Sequence, residues 1–171
     1  RVGVGDVVRV QPLRMADPEQ KKFVPSAEFP IIYEDDAIMV IDKPAGVAVH
    51  GGSGVSFGVI EQMRAARPQA KFLELAHRLD KETSGLLIIA KKRSALVALH
   101  DMMRQSDGHK HYVALVVGQW TQKRVDVKLP LTKYLTPDGE RRVRVDKAHG
   151  KYSHTIVTLL TAYPEYTLVG A

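Results

Sequence analysis

Apolar and polar positions along the chain alternate in short stretches broken by glycine and proline, and two stretches repeat at helical spacing. Residues 1–10, RVGVGDVVRV, alternate around a glycine turn and predict a strand pair. Residues 11–30, QPLRMADPEQKKFVPSAEFP, are polar and hold four prolines, the composition of a linker. A domain boundary is therefore expected there, with residues 1–10 the tail of a preceding domain. Residues 31–33 and 38–42 predict strands. KPAG at 43–46 predicts a turn, with Pro44 second and glycine fourth. Residues 47–50 are expected to resume a strand. GGSG at 51–54 predicts a loop, and without the Gly-Lys-Ser/Thr that completes a phosphate loop it is a weak nucleotide signal.

Ser56 is placed to cap a helix running to about residue 66, with Val59, Ile60 and Met63 on one face and Pro68 stopping it. Residues 86–90 are an apolar run of strand length. Ser94 is placed to cap a second helix to about residue 105, carrying Leu96, Leu99 and Met103. Residues 112–117 predict a strand. Val125, Val127 and Leu129 alternate with polar neighbours, and Val143 and Val145 alternate with Arg142 and Arg144. Residues 154–160 and 166–169 predict strands flanking a turn at Pro164. Many strands and two helices, not regularly interleaved, predict an α+β fold with a mixed, mainly antiparallel sheet and flanking helices. The final strand-like stretch, YTLVGA, runs to the last residue, so the C-terminal part of the domain is expected to be missing.

With 171 residues and 44% hydrophobic content, the chain can bury one real core. A net charge of +6 fits a polyanion partner such as nucleic acid, and equally a merely basic protein. The absence of cysteine excludes disulfides, Cys-ligated zinc and thiol catalysis, and fits a cytoplasmic protein. No apolar run approaches the ~20 residues of a membrane-spanning helix.

The candidate chemistry lies in AHRLDKETSGLLIIAK, residues 76–91. On an extended segment, side chains at i and i+2 share a face, so Arg78 and Asp80 project together while His77 and Leu79 point the other way. A nearby guanidinium favours an ionised carboxylate, suited to act as nucleophile or base. The spacing by itself fits a structural ion pair at a strand entrance better than a catalytic group. His109 and His111 flank Lys110, but no third local ligand completes a metal set. Asp35, Asp36, Asp80 and Glu82 together suit magnesium, although Asp35 and Asp36 belong in a turn in any case.

The segment HRLDKETSGLLIIAK closely resembles the H-R-L-D-x-x-T-S-G signature of the RluA family of pseudouridine synthases. IIYEDDAIMVIDKPAGVAVH resembles that family's upstream strand and Lys-Pro-x-Gly turn, and KHYVALVVG its K-x-Y segment. With GGSG and FLELAHRLD, the set is most similar to the branch modifying large-subunit (23S) ribosomal RNA. The resemblance implies a pseudouridine synthase catalytic domain, incomplete, over residues 31–171. It implies that Asp80 is the catalytic aspartate. Tyr112 would pack on the target base and help remove its C5 proton, and Arg78 would fill the gap left by the flipped nucleotide. RNA contacts are implied at Arg78, His77, Lys110 and Lys43, with no cofactor and no metal. The implied protein is a cytoplasmic monomer whose partner is RNA. Residues 1–14 resemble the last strands of an S4-like RNA-binding domain. The family's later basic motif, G-R-T-H-Q-I-R, follows the strand matched by YTLVGA and is not in this sequence. The leading expectation is uridine isomerisation in ribosomal RNA; the alternatives are an RNA-binding module without activity and a magnesium-dependent nuclease.

Overall fold

The computed structural model describes residues 23–52, 55–105, 108–137 and 141–171. The expected strand pair at 1–10 and the first twelve linker residues lie outside these. Residues 23–30 carry neither helix nor strand. The chain forms two compact units, one ending at Gln105 and the other formed by the residues after it.

The first unit is built on four antiparallel strands: β1 (Ile31–Glu34), β2 (Ile38–Lys43), β3 (Glu74–Leu75) and β4 (Gly85–Ala90), in the order β1-β2-β4-β3. Side chains alternate across a strand, so Met39 and Ile41 of β2 point inward beside Leu87 and Ile89 of β4, all four fully buried. Helix α1 (Val59–Ala66) covers them with Val59, Ile60 and Met63, as the helical spacing predicts. Helix α2 (Arg93–Gln105) keeps Leu96, Leu99 and Met103 half-buried.

The structure departs from three local expectations. Residues 47–50 are not a strand. The carbonyls of Ala48 and Val49 accept the first N–H groups of α1, from Val59 (2.9 Å) and Ile60 (3.1 Å), and so are not free for a sheet ladder. Ser56 is not the cap of α1; Gly58 is, and its N–H donates to the Glu61 carboxylate at 2.8 Å. α2 starts one residue before Ser94, because its first turn closes from the Leu96 N–H onto the Lys92 carbonyl at 3.1 Å.

The seat of α1 on this loop requires a glycine. A Cβ on Gly58 would lie 2.5 Å from both the Ala48 oxygen and the His50 nitrogen, which are backbone atoms that cannot swing aside. Gly58→Ala is expected to cost about 1–3 kcal/mol in urea denaturation, as overpacking does. An unchanged midpoint would show that the loop yields.

A charged network ties the edges of this unit. Glu34 receives Lys91 (2.7 Å) and Arg67 (3.1 Å), and Arg67 also grips Glu28. The Lys91 hydrogen bond, reinforced by the Arg67 charge, holds the Glu34 carboxyl below its ordinary 4.5. A depressed carboxyl stabilises the fold above its unfolded pKa and loses that contribution as pH falls through the folded value. The stability gap between wild type and Glu34→Gln should be full above about pH 4.5 and close below it, in denaturation curves taken across that range.

The second unit holds β5 (Val113–Val117), β6 (Arg124–Lys128), β9 (His154–Ala162) and β10 (Tyr166–Gly170) in the antiparallel order β5-β10-β9-β6. A separate hairpin joins β7 (Leu131–Leu135) to β8 (Arg141–Val145). Thr167 is fully buried; its hydroxyl donates to the Gly118 carbonyl (2.8 Å) and accepts from the Trp120 N–H (3.0 Å), fixing the turn after β5. The sequence pattern predicts neither β3 nor β7. β3 is two residues long, and LTKYL lies between prolines with little alternation.

Candidate active site

Segment 76–83 connects β3 to β4. Ala76 donates to the Ile88 carbonyl at 3.0 Å, and the Ile88 N–H donates to His77 Nε2 at 3.1 Å, so the imidazole prolongs the pairing of the two strands. Leu79 is 8% exposed and joins the core. Arg78 and Asp80 on either side of it are exposed, the alternation expected of an extended segment. No ion pair joins Arg78 to Asp80 among the described residues, so the two share a face without pairing. The chain then turns, the Thr83 N–H donating to the Asp80 carbonyl at 3.1 Å. Gly85, at φ +115°, opens β4 in a conformation that suits glycine.

This turn is held from the other side by Lys43. At the end of β2, Lys43 follows Met39 and Ile41 at a spacing of two and so faces the core; it is 0% exposed. Its register partner on β4 is Gly85, which has no side chain to crowd it. The ammonium donates to the carbonyls of Val47 (2.7 Å), Pro44 (2.8 Å) and Lys81 (3.1 Å). The Lys81 carbonyl also takes the Gly46 N–H at 2.9 Å, from a glycine at φ +82°. Burial pushes the Lys43 pKa down, and the Glu82 charge opposes that push. The Lys-Pro-Ala-Gly turn and the loop after Asp80 are thus clamped together.

The placement of Lys43 differs from the expected RNA contact. A buried ammonium with its three donors on three carbonyls has none left for a phosphate. His77, half-buried, has a ring nitrogen engaged by β4. The signal for Lys43 is legible in the sequence: its two-residue spacing from Ile41 puts it on the core face.

Lys110 and Tyr112 belong to the second unit, whereas Lys43, His77, Arg78 and Asp80 belong to the first. Tyr112 immediately precedes β5, its backbone exchanging two hydrogen bonds with Ala171 (2.7 and 2.9 Å), and its side chain is 44% exposed. Lys110 is exposed between His109 and His111, whose rings stack 6.4 Å apart. These residues line a groove of about 770 Å³ with Val113, Ile156 and Leu160 as apolar wall and His154 as polar wall. His154 Nε2 lies 2.8 Å from Asp126, a contact that holds the Asp126 carboxyl below its ordinary value. Among the described residues, no group of three or more His, Cys, Asp or Glu side chains is arranged to hold a metal ion. No helix among them is long and apolar enough to cross a membrane.

Comparison with known proteins gives this geometry its family. A family model described as RNA pseudouridylate synthase matches residues 37–171. The Escherichia coli K12 protein named ribosomal large subunit pseudouridine synthase C is 49% identical over 99% of this chain and 54% of its own length. The Pasteurella multocida protein of the same name is 47% identical over 100% of this chain and 54% of its own. The chain therefore spans about half the length of the curated relatives it matches. Two solved human structures share the fold. RNA pseudouridylate synthase domain containing 4 aligns at TM-score 0.64 and 22% identity, covering 82% of this chain and 57% of its own. Domain containing 1 aligns at 0.67 and 20%, covering 86% and 61%. The signature around Asp80, the α+β fold and a family match across most of its length together make this chain a member of the RNA pseudouridylate synthase family.

Proposed function

We propose that the protein containing this chain isomerises uridine to pseudouridine in large-subunit ribosomal RNA, with Asp80 as its catalytic group. The observation that carries the reading is an exposed carboxylate, beside an exposed guanidinium, on a loop clamped to the core by Leu79 and Lys43. A catalytic group held on a rigid support is what positioning chemistry requires. Family membership and the names of the half-identical relatives support the RNA substrate.

The reaction breaks the C1′–N1 bond, rotates the uracil and joins C1′ to C5; N1 gains a proton and C5 loses one. The atoms balance with no co-reactant. Asp80 starts it by one of two routes, attack on C1′ or removal of a ribose proton. The reacting nucleotide first leaves the stack, at a cost of a few kcal/mol. Arg78 offsets part of that cost by stacking and hydrogen bonding where the base had been. Tyr112 offers the extruded base a flat face worth about 1–3 kcal/mol, and Lys110 neutralises a nearby phosphate. Lys43 and His77 act as positioning residues. The proposed setting is the cytoplasm, in keeping with the bacterial relatives named for ribosomal RNA modification.

Tritium release from unmodified large-subunit ribosomal RNA carrying C5-tritiated uridine tests this with the full-length protein. Release is the expected result. Tight, salt-sensitive binding without release would replace the proposal with an RNA-binding module lacking activity.

A further inference from the structure

The hairpin of β7 and β8 carries a pattern that the site around Asp80 does not use. In its register Thr132 lies opposite Arg144 and Tyr134 opposite Arg142, which puts these four residues on one face. The other face carries Leu131, Leu135, Val143 and Val145 with Lys133. Neither strand contains an acidic residue, and the sequence from 131 to 145, Asp138 and Glu140 included, keeps a net charge of +2. The Arg144 guanidinium sits over the Tyr134 ring, 5.5 Å from its centroid. An arginine held on an aromatic ring keeps its donors spread and has less rotamer entropy to lose on binding. Arg142, Arg144 and Tyr134 are all exposed. A solvated face of a β-ribbon ordinarily mixes charge signs; this one carries two cations, an aromatic ring and a threonine.

We infer that this face of the β7–β8 hairpin is an RNA-gripping surface, Arg142 and Arg144 contacting backbone phosphates and Tyr134 stacking against an unpaired base. The inference rests on the RNA substrate proposed above. It goes beyond it in naming a binding element separate from Asp80, Arg78, Lys110 and Tyr112. Arginine forks match phosphate geometry, and aromatic rings take any base, so the surface would add affinity with little sequence preference.

The test uses the full-length protein and unmodified, transcribed large-subunit ribosomal RNA, with affinity measured across salt concentrations and isomerisation measured at saturating RNA. Arg142→Ala with Arg144→Ala is expected to weaken binding about tenfold or more at physiological salt. The slope of log K against log salt should flatten by about 1–2, since each phosphate neutralised on a single strand adds ~0.7 to it. Turnover at saturation should stay near wild type. The Arg142→Lys, Arg144→Lys variant should keep the slope, and Tyr134→Ala should weaken binding with the slope kept. Wild-type affinity and slope in the double alanine variant, with isomerisation intact, would overturn the gripping surface and leave the enzymatic reading standing. Equal losses in the lysine and alanine variants would trace the effect to the fold and likewise overturn it. A wild-type protein that neither binds nor isomerises this RNA would overturn both.

Discussion

Asp80→Ala in the full-length protein is expected to lower uridine isomerisation by at least about a thousandfold, the scale set by losing a nucleophile or base in a covalent or proton-transfer step. RNA affinity and the urea midpoint should stay close to wild type. The reason lies in how the loop is held. The backbone of Asp80 closes the turn onto Thr83, and neighbouring Leu79 and Lys81 are fixed to the core and to Lys43. The carboxylate itself is exposed and carries no ion pair to Arg78, so its removal leaves no buried partner behind. Retained turnover in Asp80→Ala, or a loss of turnover matched by a loss of stability, would remove Asp80 from the chemistry.

Lys43→Met should act through the opposite balance. Methionine fills much of the same space, but three carbonyls lose their common donor inside the protein. Each carbonyl left without a partner costs about 1–3 kcal/mol, less where it rotates toward water. A net destabilisation of about 3 kcal/mol is expected in urea denaturation, allowing for such relaxation. With the clamp gone, the loop bearing Asp80 is freer relative to β2, and turnover should fall more than RNA affinity does. A variant as stable and as active as wild type would show that the buried ammonium does not hold the loop.

The contrast between these two residues shows what is legible in the sequence. Short strand-like stretches, among them the apolar run at 86–90, place β1, β2, β4 and β10 within a residue or two, and helical spacing finds the buried face of α1, because the core draws apolar side chains from both. Period-two alternation puts Arg78 and Asp80 on one face and Leu79 on the other. The features that escape it are set by non-local hydrogen bonds. Residues 47–50 look like a strand but give their carbonyls to α1 and Lys43. Ser56 looks like a cap, yet the helix begins at Val59, where Gly58 permits the close approach to Ala48 and His50. The RNA contact at Lys43 is implied by the family resemblance; its place in the β2 alternation marks it as inward. The likeness of separate motifs to one family brings Asp80 and Tyr112 forward, since no spacing links residues so far apart in sequence.

The most direct measurement of the central claim is a map of pseudouridine in large-subunit ribosomal RNA. The RNA would come from cells lacking the gene, complemented with wild type or with Asp80→Ala, and be read by carbodiimide-blocked reverse transcription. The expected result is a set of positions that are pseudouridine with wild type and plain uridine in both the deletion and the Asp80→Ala strain. The same map in all three strains would contradict the account.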